Sequence, residues 1–205
     1  MKKLILLVSF ALIASVGSAQ QLGIKAGATY ASFKGDDAKN FNYRFGYTAG
    51  LMLQQHITEI IGVQVEALYT SKGAVLEYQA SGNNIEDKYR LNYVDVPVLL
   101  HLSQGGLFID LGPQVSFIAK ARRITDTTPN NSSTTVTVKR EITDDPYQID
   151  LGYAAGLGFR ATNGLGLELR YNGGLKKIGD ENTLENRQVR NSTFYLMASY
   201  LLGGR

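Results

Sequence analysis

From Gln20 onward, apolar and polar residues alternate with period two in eight segments, the spacing of β-strands with two unlike faces. The first, Gln21 to Phe33, sets Leu22, Ile24, Ala26, Ala28 and Tyr30 against Gly23, Lys25, Gly27 and Thr29. The second, Arg44 to Gln55, opposes Phe45, Tyr47, Ala49, Leu51 and Leu53 to glycine, Thr48 and Gln54. The third starts near Ile61, with Val63, Val65 and Tyr69 against Gln64 and Glu66, and extends toward Gln79. The fourth, Tyr89 to Leu102, carries Val94, Val96, Val98 and Leu100 on one face and Asp95, Pro97 and His101 on the other. The fifth, Leu107 to Ala119, opposes Leu107, Ile109 and Leu111 to Asp110, Gln114 and Ser116. The sixth, Gln148 to Arg160, opposes Ile149, Leu151, Tyr153 and Leu157 to Asp150, Gly156 and Arg160. In the seventh, Leu165, Leu167, Leu169 and Tyr171 face away from Glu168 and Arg170; in the eighth, Phe194, Leu196, Ala198, Tyr200 and Leu202 form the apolar face.

The connections add a second rhythm. Lys34–Tyr43, Ala80–Lys88, Arg122–Tyr147 and Gly179–Val189 read as long and polar, whereas His56–Ile60, Ser103–Gly106 and Thr162–Gly164 read as short. Long loops on one side and short turns on the other are the plan of outer-membrane barrels. About 10 residues per strand cover an apolar band of roughly 25 Å when tilted. The apolar face is the one with aromatic ends, and the opposite face collects glycine, amide and charge, which places lipid outside and the polar residues inside. The expected fold is all-β: an eight-stranded antiparallel up-and-down transmembrane β-barrel, both termini periplasmic and the long loops extracellular. Within the longest loop, Pro129-Asn130-Asn131 followed by Thr134–Val138 reads as a hairpin above the membrane.

The front of the chain explains how such a barrel reaches its membrane. Lys2 and Lys3 precede an apolar run from Leu4 to Ala14, and Gly17 and Ala19 are small residues suited to cleavage before Gln20. Residues 1–19 are expected to be a cleaved signal peptide and 20–205 the barrel domain. The chain has 22 glycines, 12 tyrosines and neither tryptophan nor cysteine. Without cysteine there is no disulfide, thiolate metal site or thiol nucleophile. A net charge of +3, with basic and acidic residues interspersed, gives no nucleic-acid footprint.

Several blocks in order resemble one family. They are Gly23-Ile24-Lys25-Ala26-Gly27, Val63 to Gly73, Leu91-Asn92-Tyr93-Val94-Asp95-Val96-Pro97-Val98-Leu99-Leu100, Gly112-Pro113-Gln114, Gly156-Leu157-Gly158 and Arg170 to Leu175. The sequence resembles the PorT-like outer-membrane β-barrel domain family of Bacteroidetes-type bacteria over essentially the whole chain after the signal. That resemblance implies an eight-stranded barrel, tolerates Pro97 within a strand, and associates the founding member with gliding and type IX secretion. Leu202 stands where outer-membrane barrels usually end on an aromatic residue.

Candidate chemistry lies on the polar face: Lys25, Glu66, Asp95, Asp110, Asp150, Arg160, Glu168 and Arg170. An eight-stranded barrel is just wide enough for side chains to fill, so these residues are expected to form a structural plug of paired charges; a narrow ion path is the alternative. His101 and Ser103 with Asp95 or Asp110 have the composition of a hydrolase triad, which leaves a lipid-modifying outer-membrane hydrolase as a second reading and a soluble periplasmic ligand-binding barrel as a third. The serine lies near the expected periplasmic rim, away from outer-leaflet lipid. His56 reads as solvated in a turn, and Asp36-Asp37 and Asp144-Asp145 as solvated loop charge. No cofactor or metal-ligand spacing is present. The expected function is non-enzymatic, with loops for surface interaction or a role in secretion or envelope integrity; the expected partners are outer-membrane lipid and lipopolysaccharide, with a secretion-machinery or surface partner.

Overall fold

The eight alternating segments close into a ring. The computed structural model describes residues 20–131, 134–143, 149–178 and 189–202. The expected signal, Asp144-Asp145 and Gly203-Gly204-Arg205 lie outside the described residues. Ten strands follow in order: β1 (Gln20–Lys34), β2 (Phe41–Asn42), β3 (Arg44–His56), β4 (Ile61–Ala80), β5 (Asn83–Gln104), β6 (Leu107–Pro129), β7 (Val136–Glu141), β8 (Ile149–Arg160), β9 (Leu165–Gly174) and β10 (Arg190–Leu202). All pairings are antiparallel. β1 pairs β3, the ladder continues through β4, β5, β6, β8 and β9, and β10 returns to β1. β2 and β7 are side branches on β4 and β6. The seam runs from Leu22 opposite Leu202 to Lys34 opposite Arg190, so Leu202 is engaged in the closing ladder.

Burial alternates along every barrel strand, and the apolar face is the exposed one. Leu151, Leu157, Leu167, Leu169, Phe194 and Leu196 point outward. At one edge of this band the outward rings touch in series: Tyr153 and Tyr171 (6.1 Å), Tyr171 and Phe194 (5.0 Å), Phe194 and Tyr43 (6.5 Å), and Tyr43 stacked on Tyr30 (4.5 Å). Amphipathic rings in a girdle suit the boundary between hydrocarbon and headgroups.

Of the connections expected to be long loops, Ala80–Lys88 is strand instead, and Arg122–Tyr147 carries the expected hairpin, with strand running up to Pro129 and back from Val136. β4 and β5 run to 20 and 22 residues and are joined by a two-residue turn at Ser81-Gly82, both at positive φ (51° and 75°). Such a turn matches the twist of the strands it joins. At the opposite end Gly105-Gly106 makes the same kind of turn between β5 and β6. β6 runs 23 residues to Pro129 and then pairs back with β7 as a hairpin. Three adjacent strands therefore rise beyond the others as a wall. With about 10 residues needed to cross the bilayer, roughly 10 remain, or about 30 Å of extended chain.

β6 outlasts its sequence alternation because of a bulge. The register with β5 shifts between Asn92 and Tyr93, which pair with Lys120 and Ile118, leaving Ala119 as the extra residue. Inward residues are even-numbered below it (Phe108, Asp110, Gln114, Ser116) and odd-numbered above it (Ala121, Arg123).

The interior is not polar throughout. Where the wall leaves the ring, Phe33, Phe41, Ala74, Leu76, Tyr89, Leu91, Tyr93, Ala121, Ile142, Ile178 and Val189 pack into an apolar cluster. Its rings meet edge-on: Phe33 with Phe41 at 5.1 Å and Phe41 with Tyr89 at 6.0 Å. This cap covers the lumen at the long-strand end. Leu91→Ala is expected to lower stability by about 2–5 kcal/mol, the range for truncating a buried leucine, whereas Leu169→Ala on the lipid-facing side costs much less. Urea titration of folded protein in micelles would distinguish the two; equal losses would contradict the cap.

Candidate functional site in the barrel lumen

The inward row of β4 reads Gln64, Glu66, Leu68, Thr70, Lys72, all buried. Its first charge, Glu66, sits in a network contributed by four strands. Lys25 Nζ of β1 donates to Glu66 Oε1 (2.5 Å) and to Glu168 Oε2 of β9 (2.7 Å). Arg170 of β9 donates through Nη1 and Nη2 to the two oxygens of Glu66 (2.6 and 2.8 Å) and through Nε to Glu168 Oε1 (2.6 Å). Its Nη2 also lies 3.7 Å from Asp110 Oδ2 of β6. Gln64 Nε2 donates to Glu66 (2.7 Å) and Asp110 (3.3 Å). A planar guanidinium is suited to this two-pronged contact with a carboxylate. Glycine makes the room: a Cβ on Gly156 would fall 2.4 Å from Glu168 Oε1.

The eight residues singled out from the sequence are all inward, but they are not one cluster. Lys25, Glu66, Asp110, Glu168 and Arg170 form the network just described. Arg160, half-buried, donates to Gln54 Oε1 (2.6 Å) and lies over the Phe108 ring at 5.1 Å, without an ion pair among the described residues. Asp95 belongs to a second group, in which it accepts from Lys72 Nζ (2.8 Å) and Tyr195 Oη (3.4 Å). Asp150 accepts from Asn191 Nδ2 (2.8 Å). Lys72 and Asn191 are lumen residues the alternation did not single out, although Lys72 shares the even-numbered row of Glu66; Gln54 and Gln64, on the polar faces of their strands, join them in the lumen, as do Asn172 and Tyr195.

Glu66, Asp110 and Glu168 bring carboxylate oxygens close enough together to suggest a metal site. Lys25 and Arg170 already occupy that space and pair with its carboxylates, so the group is a salt-bridge cluster and not a cation cradle.

The hydrolase constellation is partly assembled. His101 Nδ1 lies 2.6 Å from Asp110 Oδ1. The ring packs against Phe108 (5.2 Å) and is 1% exposed, and no hydrogen bond joins it to the Ser103 hydroxyl among the described residues. Asp95 is engaged elsewhere. His56 is not solvated in a turn: it ends β3, half-buried, with Nε2 3.1 Å from Gln54 Nε2 and its ring edge-on to His101 at 6.2 Å. Asp36 and Asp37 are exposed.

Above the ring, the wall carries its own ion pair. Arg123 Nη2 and Nε donate to the buried Asp87 carboxylate (2.5 and 3.1 Å), joined by Thr125 Oγ1 (2.5 Å), and the guanidinium lies over Tyr89 at 5.5 Å. Burial pushes the Asp87 carboxyl up, but the hydrogen bonds from Arg123 and Thr125 and the arginine charge outweigh it and hold the group below its ordinary value. A depressed carboxyl stabilises the fold above the unfolded value of about 3.9 and loses that contribution as pH falls through the folded one.

Sequence comparison places this architecture among known ones. A sequence model of the family described as "Outer membrane protein beta-barrel domain" matches residues 17–180. No curated protein matches the sequence. Among solved structures, the chain is similar to Ail, the attachment invasion locus protein of Yersinia pestis, with 14% identity and a TM-score of 0.45 over 91% of this chain and 100% of that one. It is similar to Neisserial surface protein A with 14% identity and a TM-score of 0.42, over 87% and 96%. The outer membrane protease OmpT of Escherichia coli gives 9% identity and a TM-score of 0.40, over 91% and 98%.

Two outcomes are expected. Arg170→Met, which strands three buried carboxylates beside it, should cost about 3–5 kcal/mol, and adding Glu66→Gln should recover part of the loss; thermal unfolding in detergent measures both, and a double variant no better than the single would show that the pair does not act as a unit. Hydrogen exchange of the Tyr89 and Arg90 amides, corrected for intrinsic rates, should accelerate as pH falls below about 4. Asp87→Asn should already exchange fast at neutral pH and lose that acid dependence.

Proposed function

Since this chain belongs to the outer membrane protein β-barrel domain family, we propose that it is a non-conducting, non-enzymatic barrel that presents a rigid wall outside the membrane for surface contact. One observation carries this reading: the lumen is filled by the Lys25–Glu66–Arg170–Glu168 network and covered by the apolar cap. Ions crossing such a lumen would have to displace paired charges and then pass Tyr89, Leu91 and Tyr93. An open solute channel belongs to much wider barrels.

The orientation that fits puts the short turns and the ends of β1 and β10 in the periplasm, and the wall outside, where the 1–19 segment would deliver the chain as a signal peptide. The wall offers a stiff surface in place of mobile loops. Its hairpin edges border an open groove of about 640 Å³ lined by Glu77, Tyr78, Glu86 and Asp126 among others. Surface partners or lipopolysaccharide reach this region first. The blocks around Gly23–Gly27, Val63–Gly73 and Leu91–Leu100 support a PorT-like placement, and with it a secretion-machinery or envelope-integrity role.

The His101–Asp110 pair is the one feature that favours a lipid hydrolase. Against it stand the sealed imidazole and the serine with no bond to it. Protein reconstituted in planar bilayers is expected to show no unitary current. Discrete steps that change on Glu66→Gln would replace the plug with a narrow ion path, and loss of a lipid-deacylating activity on Ser103→Ala would replace it with an enzyme.

A further inference from the structure

The outer face of the wall carries its charge in layers. Farther from the membrane, Lys88 bridges Glu86 and Asp126 at 2.9 Å each. Two residues nearer the membrane, Arg90 of β5 stands directly opposite Arg122 of β6. Like charges directly opposite on one face of an antiparallel ladder are destabilising. Both arginines are exposed, and neither side chain has an ion pair or hydrogen bond among the described residues. Glu141, opposite Arg122 on β7, is 3.5 Å from Lys120 Nζ. Arg90 faces Gly73 on its other side, where Arg44, bonded to Ser71 Oγ and the Lys72 carbonyl, adds positive charge. Arg90, Lys120 and Arg122 therefore share a single carboxylate.

The ladder sets the height of this pair. Toward the membrane the outward row passes Asn92 opposite Lys120 and reaches Val94 opposite Phe117, both exposed. The seam between β1 and β10 repeats that order: exposed Tyr30 opposite Phe194, Ser32 opposite Ser192, then Lys34 opposite Arg190, again two cations face to face. Four residues of tilted strand raise each pair about 9–10 Å above its apolar row. The headgroup layer is roughly 5–8 Å thick. Lys34 shows that a cation at this level reaches back down: its Nζ lies 3.3 Å from Tyr171 Oη in the aromatic girdle and 5.1 Å over the ring. Long cationic side chains lay their stems along apolar surface in this way and keep the charge among the headgroups. Two like-charged pairs at one height, on different parts of the ring, suit a layer of anions at that height.

We propose that Arg90 and Arg122, with Lys120 beside them, bind a phosphate group of a phosphorylated lipid in the outer leaflet. A phosphate between two guanidiniums replaces their repulsion with charge-assisted, two-pronged hydrogen bonds. The acyl chains of the same lipid meet the outward row of Val94, Val98 and Phe117 below. A soluble anion gains the first contact and not the second, which commits the site to lipid. The site rests on the reading that places the wall outside the membrane, and gives its base a ligand.

The test uses the full chain in uncharged maltoside micelles at low salt. Bis-phosphorylated lipid A, and the same lipid with its phosphates removed, are titrated separately while the thermal unfolding midpoint is followed. The phosphorylated lipid should raise the midpoint saturably and the dephosphorylated one should not. The double variant Arg90→Gln, Arg122→Gln should need roughly tenfold more lipid for half the effect. Without lipid it should unfold no lower than the unaltered protein, because the repulsion is gone. Arg140→Gln removes an exposed charge from the inner face, opposite Arg123, and should leave the titration unchanged. If the double variant does not assemble, the single Arg90→Gln titration decides. Equal responses to the two lipids, or an equal weakening by Arg140→Gln, would overturn the site. A midpoint raised as much by inorganic phosphate at the same concentration would overturn it in favour of a soluble anion. Micelles test neither orientation nor conductance, so a failure here leaves the closed-barrel reading standing, and current steps in planar bilayers would leave this site standing.

Discussion

The middle of the barrel depends on one guanidinium. Arg170 reaches both oxygens of Glu66 across the lumen, holds Glu168 on its own strand and approaches Asp110, while Lys25 closes the circuit from the other side. Antiparallel ladders set only neighbouring strands relative to each other. This network links β1, β4, β6 and β9, which are spread around the ring. It also removes the need for solvent: taking these charges out of water is costly, and only near-complete mutual pairing offsets that cost. The glycines that oppose them, Gly156 above all, are part of the same solution, because a larger residue there would occupy the carboxylate's position.

The membrane-crossing part of the fold was legible in the sequence because lipid on one side and charge on the other impose opposite demands on alternate residues. Lys25, Glu66, Glu168 and Arg170 stood out as charges on a glycine-rich face for that reason. Lys72 did not. It follows Thr70 and Ser71, and there the alternation has no apolar partner to mark it, although the inward row continues unbroken from Gln64. The same loss of contrast hid the wall. Outside the bilayer a strand needs no apolar face, so Asn83, Asn84, Glu86, Asp87 and Lys88 read as loop while their backbone remains in the ladder to Ala80 and Pro129. The turn itself, Ser81-Gly82, is one small-residue pair among polar neighbours and carries no contrast with them. The cap was invisible for a different reason: its members come from stretches far apart along the chain, and only closure of the ring brings Phe33, Tyr89 and Val189 together.

The lumen thus changes character along its axis. Histidine, phenylalanine and Arg160 crowd the short-turn end, paired charges fill the middle, and an aromatic cluster covers the other end. The wall is anchored by that cluster and pinned by the Asp87–Arg123 pair, so its projecting hairpins are continuous with the packed aromatic end of the lumen.

The bulge at Ala119 bears on how this protein can vary. In an alternating ladder, gaining or losing a single residue turns every side chain beyond it to the opposite face. At Ala119 the extra residue is already absorbed, with Ile118 and Ala121 both directed inward on either side of it. Loss of one residue there would leave Arg123 beside Asp87, whereas the same loss elsewhere in the lower part of β6 would carry it to the outer surface. The wall therefore has a frame of its own, readable in steps of two, and one point at which descendants of this chain can change length by one and keep the same faces.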